Sequence, residues 1–357
     1  MKIMVGVGHP KHVHFWKNVI KNLVNDGHEV KIVAKAKDIT LYLLDKYNFE
    51  YEIVGMNYKG LAKKAYGLFE NDIKSLRIAN KFKPDILAMG TPYLAQVSSL
   101  IRKPHISLLD TEHAGLAYQL TRPFTNVIFT PSCFKRDIDQ KKQLVYDSYM
   151  ELAYLHPNYF KPDPVVLEDI GLNKGDKFII LRFVSWGASH DIGDRGFTNK
   201  EELIQSLEEY GKVFITSEAG LSQKLKKYKI TVPPEKIHHL LYFADLFIGE
   251  SAPMSTESAI LGTPAIFVST SRRGYTDELE TRYDMLYTFS DPDNCQKQAL
   301  EKALELLEDK DIKKKWQKKR EKLLSEKIDV TKFMTEFIEN YPDSFYEYKK
   351  NKKCGDD

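Results

Sequence analysis

Cysteine is scarce in this chain. Its three cysteines, Cys133, Cys295 and Cys354, are too far apart for a CxxC pair and odd in number, so neither a disulfide framework nor a structural metal is expected. No apolar run reaches the roughly 18 residues a membrane span needs. The N-terminus enters a strand without a basic and apolar leader, which predicts a cytoplasmic protein. HExxH, GxSxG, Walker A and kinase signatures are all missing, and His238 and His239, being adjacent, point to different helix faces rather than to one metal. The formal net charge of +3 is too small to argue for a nucleic-acid partner. Positive charge gathers in KKKWQKKREK at 313–322 and in the tail at 349–353. Such runs are ordinarily solvated helix faces; a weak peripheral membrane contact through Trp316 is the lesser reading.

What the chain does have is length and alternation. At 357 residues, 42% hydrophobic and 29% charged, it fits two soluble α/β domains rather than one core. Strands are predicted at 2–7, 29–34, 50–54, 85–89, 105–108 and 127–130, with helices between them, among them 133–140. That pattern makes a doubly wound parallel sheet. Three prolines in PNYFKPDP at 157–164 read as a semi-rigid connection. Alternation then restarts, with strands at 177–183, 212–216, 246–248, 265–268 and 286–289 and helices including 221–228 and 235–244. The expected domains are a first Rossmann-like domain at 1–160, a second at 161–325, and a C-terminal helix with a polar tail at 326–357. Two Rossmann-type domains of this kind are expected to face a central cleft.

The most informative stretch is DLFIGESAPMSTESAILGTPAIF at 245–267. A strand ends at Gly249, and a helix opens near Pro253 and exits at Gly262, with proline and glycine where a helix start and end accept them. Backbone N–H groups of Met254, Ser255 and Thr256 would then favour an anion such as a diphosphate. Glu257, one turn on, could accept the two hydroxyls of a ribose. The plainer reading, a capped helix with an acidic residue near its positive end, fits the local pattern about equally well.

Other loops gather chemistry. The first, from Gly6 to Phe15, has two of the three glycines of a dinucleotide fingerprint, and Ala34 and Lys35 replace the acidic residue that should follow. A nicotinamide or flavin cofactor is therefore disfavoured. The loop offers Gly8 and three histidines instead, of which His12 and His14 are candidate proton acceptors and His9 reads as a cap. Asp110, Glu112 and His113 follow the fifth strand as further acid/base candidates. In the second half, Arg182, Trp186, His190 and Asp191, then Ser217 and Glu218, stand at strand exits, where they could line a nucleotide. Arg272 and Arg273 are more simply surface charge.

Together, HVHFWKNVI at 12–20, DTEHA at 110–114, WGASHDIGDRG at 186–196 and GESAPMSTESAILGTPAI at 249–266 resemble the family called domain of unknown function 354 over nearly the whole chain. That family is similar to GT-B glycosyltransferases and to the non-hydrolysing UDP-N-acetylglucosamine 2-epimerases. The resemblance implies a GT-B-like fold, a nucleotide-sugar donor, diphosphate contacts from Ser251, Ser255 and Thr256, a ribose contact from Glu257, and His12 as the histidine of the first loop. Two departures weigh against epimerase chemistry: no carboxylate stands in Ala88-Met89-Gly90-Thr91-Pro92, and Ala252-Pro253 replace paired glycines. The expectation is a metal- and cofactor-free transferase passing a sugar from a UDP-sugar, N-acetylglucosamine-like, to a glycan or lipid-linked acceptor. A UDP-sugar 2-epimerase and a sugar-nucleotide-binding protein without turnover are the alternatives.

Overall fold

The computed structural model describes residues 1–56, 60–89, 92–113, 115–184, 197, 199–217 and 220–355. They form a mixed α/β protein with two parallel sheets, dividing into two compact units, Met1–Tyr159 with Ile328–Asp357, and Phe160–Lys327.

The first unit begins β1 (Lys2–Val7), α1 (Pro10–Asn25), β2 (Glu29–Ala36), α2 (Thr40–Lys46), β3 (Tyr51–Met56) and α3 (Leu61–Phe82). It continues β4 (Ile86–Ala88), α4 (Pro92–Leu100), β5 (His105–Leu108), α5 (Gly115–Thr121), β6 (Val127–Pro131), β7 (Gln143–Tyr146) and α6 (Leu152–Leu155). Among the described residues the strands pair in the order β3-β2-β1-β4-β5-β6-β7, all parallel. β1 is buried along nearly its whole length because helices cover both faces. α1 buries Val13, Trp16, Ile20 and Leu23, a spacing of three and four that turns one apolar stripe inward. Connections leave β1 toward β2 on one side and lead to β4 on the other, so β1 and β4 flank the switch point where such sheets bind ligands.

Three local expectations change. Residues 133–140 are not helical; Phe134 and Ile138, four apart, instead pack a loop against Leu109, Tyr118 and Ile128. β7 and α5 are additional elements.

The second unit runs α7 (Val165–Glu168), β8 (Phe178–Phe183), α8 (Lys200–Glu208), β9 (Lys212–Ser217), α9 (Ile237–Phe243), β10 (Leu246–Gly249) and α10 (Ala252–Leu261). β11 (Ala265–Val268), α11 (Gly274–Thr281), β12 (Leu286–Phe289), α12 (Cys295–Glu308) and α13 (Ile312–Glu326) complete it. Its sheet has the order β12-β11-β10-β8-β9, again parallel, with the switch point between β8 and β10. Of the helix expected at 221–228 only a single tight turn, Lys226–Tyr228, forms.

α14 (Val330–Glu339) and α15 (Asp343–Gly355) fold with the first unit, so residues 343–355 are helical rather than a polar tail. The Thr331 hydroxyl donates to Ala153 O at 2.7 Å, and the Phe337 ring meets Phe129 edge-on at 4.8 Å. The basic run lies on α13, where the lipid-anchor reading of Trp316 is overturned. Its indole is 2% exposed and donates to Met285 O, while Lys313, Lys315 and Lys319 pair with Asp245, Asp309 and Asp284. Among the described residues no helix is long and apolar enough to cross a membrane.

Candidate functional site

In the first unit the turn after β1 delivers Lys11 rather than a histidine to the centre of a charged cluster. Lys11 Nζ lies 2.6 Å from Asp110 Oδ2, after β5, and 2.8 Å from Glu151 Oε1, just before α6. Burial pushes the Asp110 carboxyl up, but the Lys11 charge and hydrogen bond outweigh it and leave it below the usual carboxylate range. For Glu151, 3% exposed at its side chain, burial wins and the pKa is raised. One ammonium thus divides two carboxylates into a readily ionised one and a more readily protonated one, the arrangement acid/base pairs use. The buried Tyr146 hydroxyl is raised by desolvation and by Asp110 and Glu151.

The histidines separate by role. His9 caps α1, its Nδ1 accepting the Lys11 N–H at 3.2 Å. His12 Nδ1 accepts the Gly8 N–H at 3.3 Å, so a neutral ring carries its proton on Nε2. Burial holds the His12 pKa down at about 3. In that state Nε2 donates, so His12 suits gripping an oxygen better than removing a proton. His14 is not at the site: it is 7% exposed, bonded to the Tyr47 hydroxyl and 5.3 Å from the Tyr154 ring. The expectation of His14 as a base fails because its position on α1 turns it into the packing against α2 and α6. Glu112 is tied elsewhere, accepting the Lys135 N–H at 3.1 Å, and His113 is exposed.

In the second unit, α10 starts at Ala252, capped by Ser251, whose Oγ is 3.5 Å from the Met254 N–H. This moves the anion-site assignment two residues toward the start of the helix. The Ser255 N–H and hydroxyl both donate to Ser251 O at 3.0 Å, so Ser255 serves the helix, and Thr256 is fully buried. Outside the helix ladder stand the amide of Ala252 and that of Met254, which the Ser251 cap takes; Pro253 has none. Glu257, 7% exposed, has Oε1 3.1 Å from His238 Nε2 on α9. Arg182, on β8, donates to the Thr216 hydroxyl at 2.9 Å. Ser217 ends β9 and borders a hollow of about 350 Å³ with Asn199, Lys200 and Ser222. Trp186, His190, Asp191 and Glu218 lie outside the described residues.

Glu250, which sequence reasoning passed over, joins the two sides of the switch point. Its carboxylate, 5% exposed, accepts the Val184 N–H at 2.8 Å and the Phe197 N–H at 2.7 Å, the two ends of the loop after β8. The signal was a carboxylate directly after a glycine-ended apolar strand, a place where burial demands partners. Glu151 had no such local signal. Arg272, by contrast, is satisfied by Asp277 and Glu280 and is not a phosphate ligand in waiting. Among the described residues no group of three or more His, Cys, Asp or Glu converges as metal ligands.

Known proteins give the fold a context. The UDP-GlcNAc 2-epimerase from Neisseria meningitidis bound to UDP-GlcNAc superposes with a TM-score of 0.63 at 14% identity, over 95% of this chain and 99% of that one. The spinosyn rhamnosyltransferase complexed with spinosyn aglycone does so with a TM-score of 0.59 at 12% identity, over 95% and 99%. An uncharacterized protein of Methanocaldococcus jannaschii is 23% identical over 277 residues, 74% of this chain and 81% of its own length. The model of the family described as "Protein of unknown function (DUF354)" matches residues 1–341, and the chain belongs to that family.

Proposed function

We propose that the chain is a cytoplasmic, metal-independent transferase that passes a sugar from a UDP-sugar, N-acetylglucosamine-like, to a glycan or lipid-linked acceptor. The observation that carries this reading is the switch point of the second unit, where Glu250, directly after β10, holds the Val184 and Phe197 amides beside the start of α10. The amide of Ala252, with the helix dipole behind it, stabilises the charge that grows on the departing diphosphate. Glu257 accepts the ribose hydroxyls, and Arg182 and Ser217 line the nucleotide side. Trp186, His190, Asp191 and Glu218 line the nucleotide with them. In the first unit Asp110, ionised beside Lys11, takes the acceptor's proton, and His12 Nε2–H orients the acceptor oxygen.

A second reading, UDP-sugar 2-epimerisation, is favoured by one observation: Lys11 between Asp110 and Glu151 supplies several acid/base groups without a carboxylate after β4. Incubation with UDP-sugars separates the two. UDP released only when an acceptor is present supports transfer, and an altered sugar formed without acceptor supports epimerisation. Absence of both, with UDP still bound, leaves a binding protein and removes either enzymatic reading.

A further inference from the structure

Three neighbouring strands of the first sheet, β5, β6 and β7, are parallel, so the turns that lead into them lie side by side at its amino edge. Each turn brings cations: Arg102 and Lys103 before β5, Arg122 before β6, Lys141 and Lys142 before β7. Hydrogen bonds join the turns. The Lys142 ammonium donates to Arg122 O at 2.7 Å, and the His105 N–H to Asn126 Oδ1 at 2.9 Å. On α15 the Lys349 ammonium donates to Gln140 O and Gln143 O, which brings the start of the basic tail to the same edge. A carbonyl partner leaves an ammonium charge uncancelled. Of the nearby carboxylates, Asp85 pairs with Lys103 and Asp139 accepts the Lys141 N–H at 3.1 Å. Arg102, Arg122 and Lys141 are exposed and have no carboxylate partner among the described residues. On α13, by contrast, Lys313, Lys315 and Lys319 each face an aspartate.

Apolar side chains are set among these cations. Leu100, at the end of α4, is 67% exposed, and Leu116 and Leu120, four apart on α5, turn one stripe outward toward exposed Phe124 in the turn beyond. The Ser98 hydroxyl, 3.5 Å from Phe124 O, holds that turn to α4. Apolar patches with a polar rim mark interaction surfaces. Lysine and arginine are drawn to anionic headgroups, while leucine and phenylalanine enter the boundary beneath them. A nucleic acid would satisfy the cations and leave the leucines in water.

We propose that this edge docks the chain on an anionic bilayer surface, with Arg102, Arg122 and Lys141 at the phosphates and Leu100, Leu120 and Phe124 in the headgroup layer. Lys11 and Asp110 stand at the carboxyl edge of the same sheet, so docking leaves their cluster on the far side. The inference stands apart from the donor reading, because this binding needs no nucleotide.

Flotation of the full chain with vesicles tests the point. Phosphatidylcholine with about 30% phosphatidylglycerol is expected to bind at least about tenfold more tightly than phosphatidylcholine alone, and added salt to erase the excess. Each cation at such a surface is worth about fivefold, so Arg102→Glu with Arg122→Glu should lower binding to the mixed vesicles at least about tenfold. Leu120→Ser with Phe124→Ser should lower it about fivefold or more. Lys314→Glu with Lys318→Glu, the same charge change on α13, should stay within about twofold of wild type. All four docking side chains changed here are exposed, so melting temperatures are expected to hold; if the serine pair melts early, the arginine pair decides. Equal binding to the two lipids overturns the proposal, as does an equal loss in the α13 control, which would show a response to net charge alone. Undiminished binding of the serine pair also overturns it and leaves a plain polyanion surface. A wild-type dimer without vesicle binding, dissociated by the serine pair in sedimentation velocity, assigns the face to a second copy instead.

Discussion

Lys11 and Glu151 form an ion pair with 2.8 Å between Nζ and Oε1 and side chains only 13% and 3% exposed. Removing one partner of a buried pair leaves an uncompensated charge, which typically costs about 3–5 kcal/mol. Lys11→Met is therefore expected to lower unfolding stability by several kcal/mol, at about that scale, and Lys11→Met with Glu151→Gln to recover part of it. Urea titrations of the single and double variants check this. Equal stability of Lys11→Met and wild type would mean that the cluster is open to water.

Glu250 gives a prediction that separates binding from folding. Each of its two bonds joins a backbone N–H to a charged acceptor, worth about 1.5–3 kcal/mol. Glu250→Gln keeps one carbonyl acceptor but sets an amide donor against the other backbone N–H. UDP affinity is expected to drop at least about tenfold, with resistance to proteolysis falling between Val184 and Phe197. Unchanged affinity together with new cleavage there would show that the loop after β8 takes no part in nucleotide binding.

Acid should destabilise the first unit well above the carboxylate range. Burial lowers the pKa of His12 to about 3 and that of His105, bonded to Thr125, to about 3, from 6.5. Because the folded values are depressed, these groups contribute stability that is complete above pH 6.5 and drains away as pH falls toward 3. The limiting slope is about 1.4 kcal/mol per pH unit for each group. Asp110, also depressed, adds loss below 3.8. Glu151 has the opposite sign: its raised pKa gives stability present below 4.5 and lost as pH rises through the folded value. Melting temperatures measured from pH 8 to 5 should fall, and His12→Asn should flatten the curve. A level curve over that range would contradict the desolvation argument.

Gly249 marks a close approach inside the second sheet. A Cβ there would sit 2.7 Å from Arg182 Cβ and 2.8 Å from the Phe247 ring. Gly249→Ala must therefore push β10 away from β8, with a cost of about 1–3 kcal/mol. Because Arg182 and Glu250 move with those strands, weakened UDP binding should accompany the lower melting temperature. An alanine variant with native stability would place the strands farther apart than the geometry here.

What could be read from the residues was what local chemistry controls. Pro253 at the start and Gly262 at the left-handed exit, φ +86°, announce α10 before any contact is known. The β-rich runs separated by helical spacing likewise announce two parallel sheets. Pro253 does sit in the first turn, but the helix starts one residue earlier, at Ala252 after the Ser251 cap, and the Ser255 amide already lies inside the ladder. Residues whose partners are distant in sequence stayed hidden. Nothing near Glu151 hints at Lys11, and nothing near His238 singles out Glu257. His14 misled for the converse reason, since a histidine at a strand exit looks chemical until Tyr47 and Tyr154 are seen around it.

The return of α14 and α15 to the first unit makes that unit discontinuous along the chain. On the ribosome, residues 160–327 emerge as one uninterrupted stretch, but the Thr331 to Ala153 bond and the Phe337 to Phe129 contact must wait until α14 has followed them. Until then the sheet carrying Lys11 and Asp110 lacks part of its covering layer. Chaperone dependence and truncation sensitivity should accordingly concentrate in the first unit.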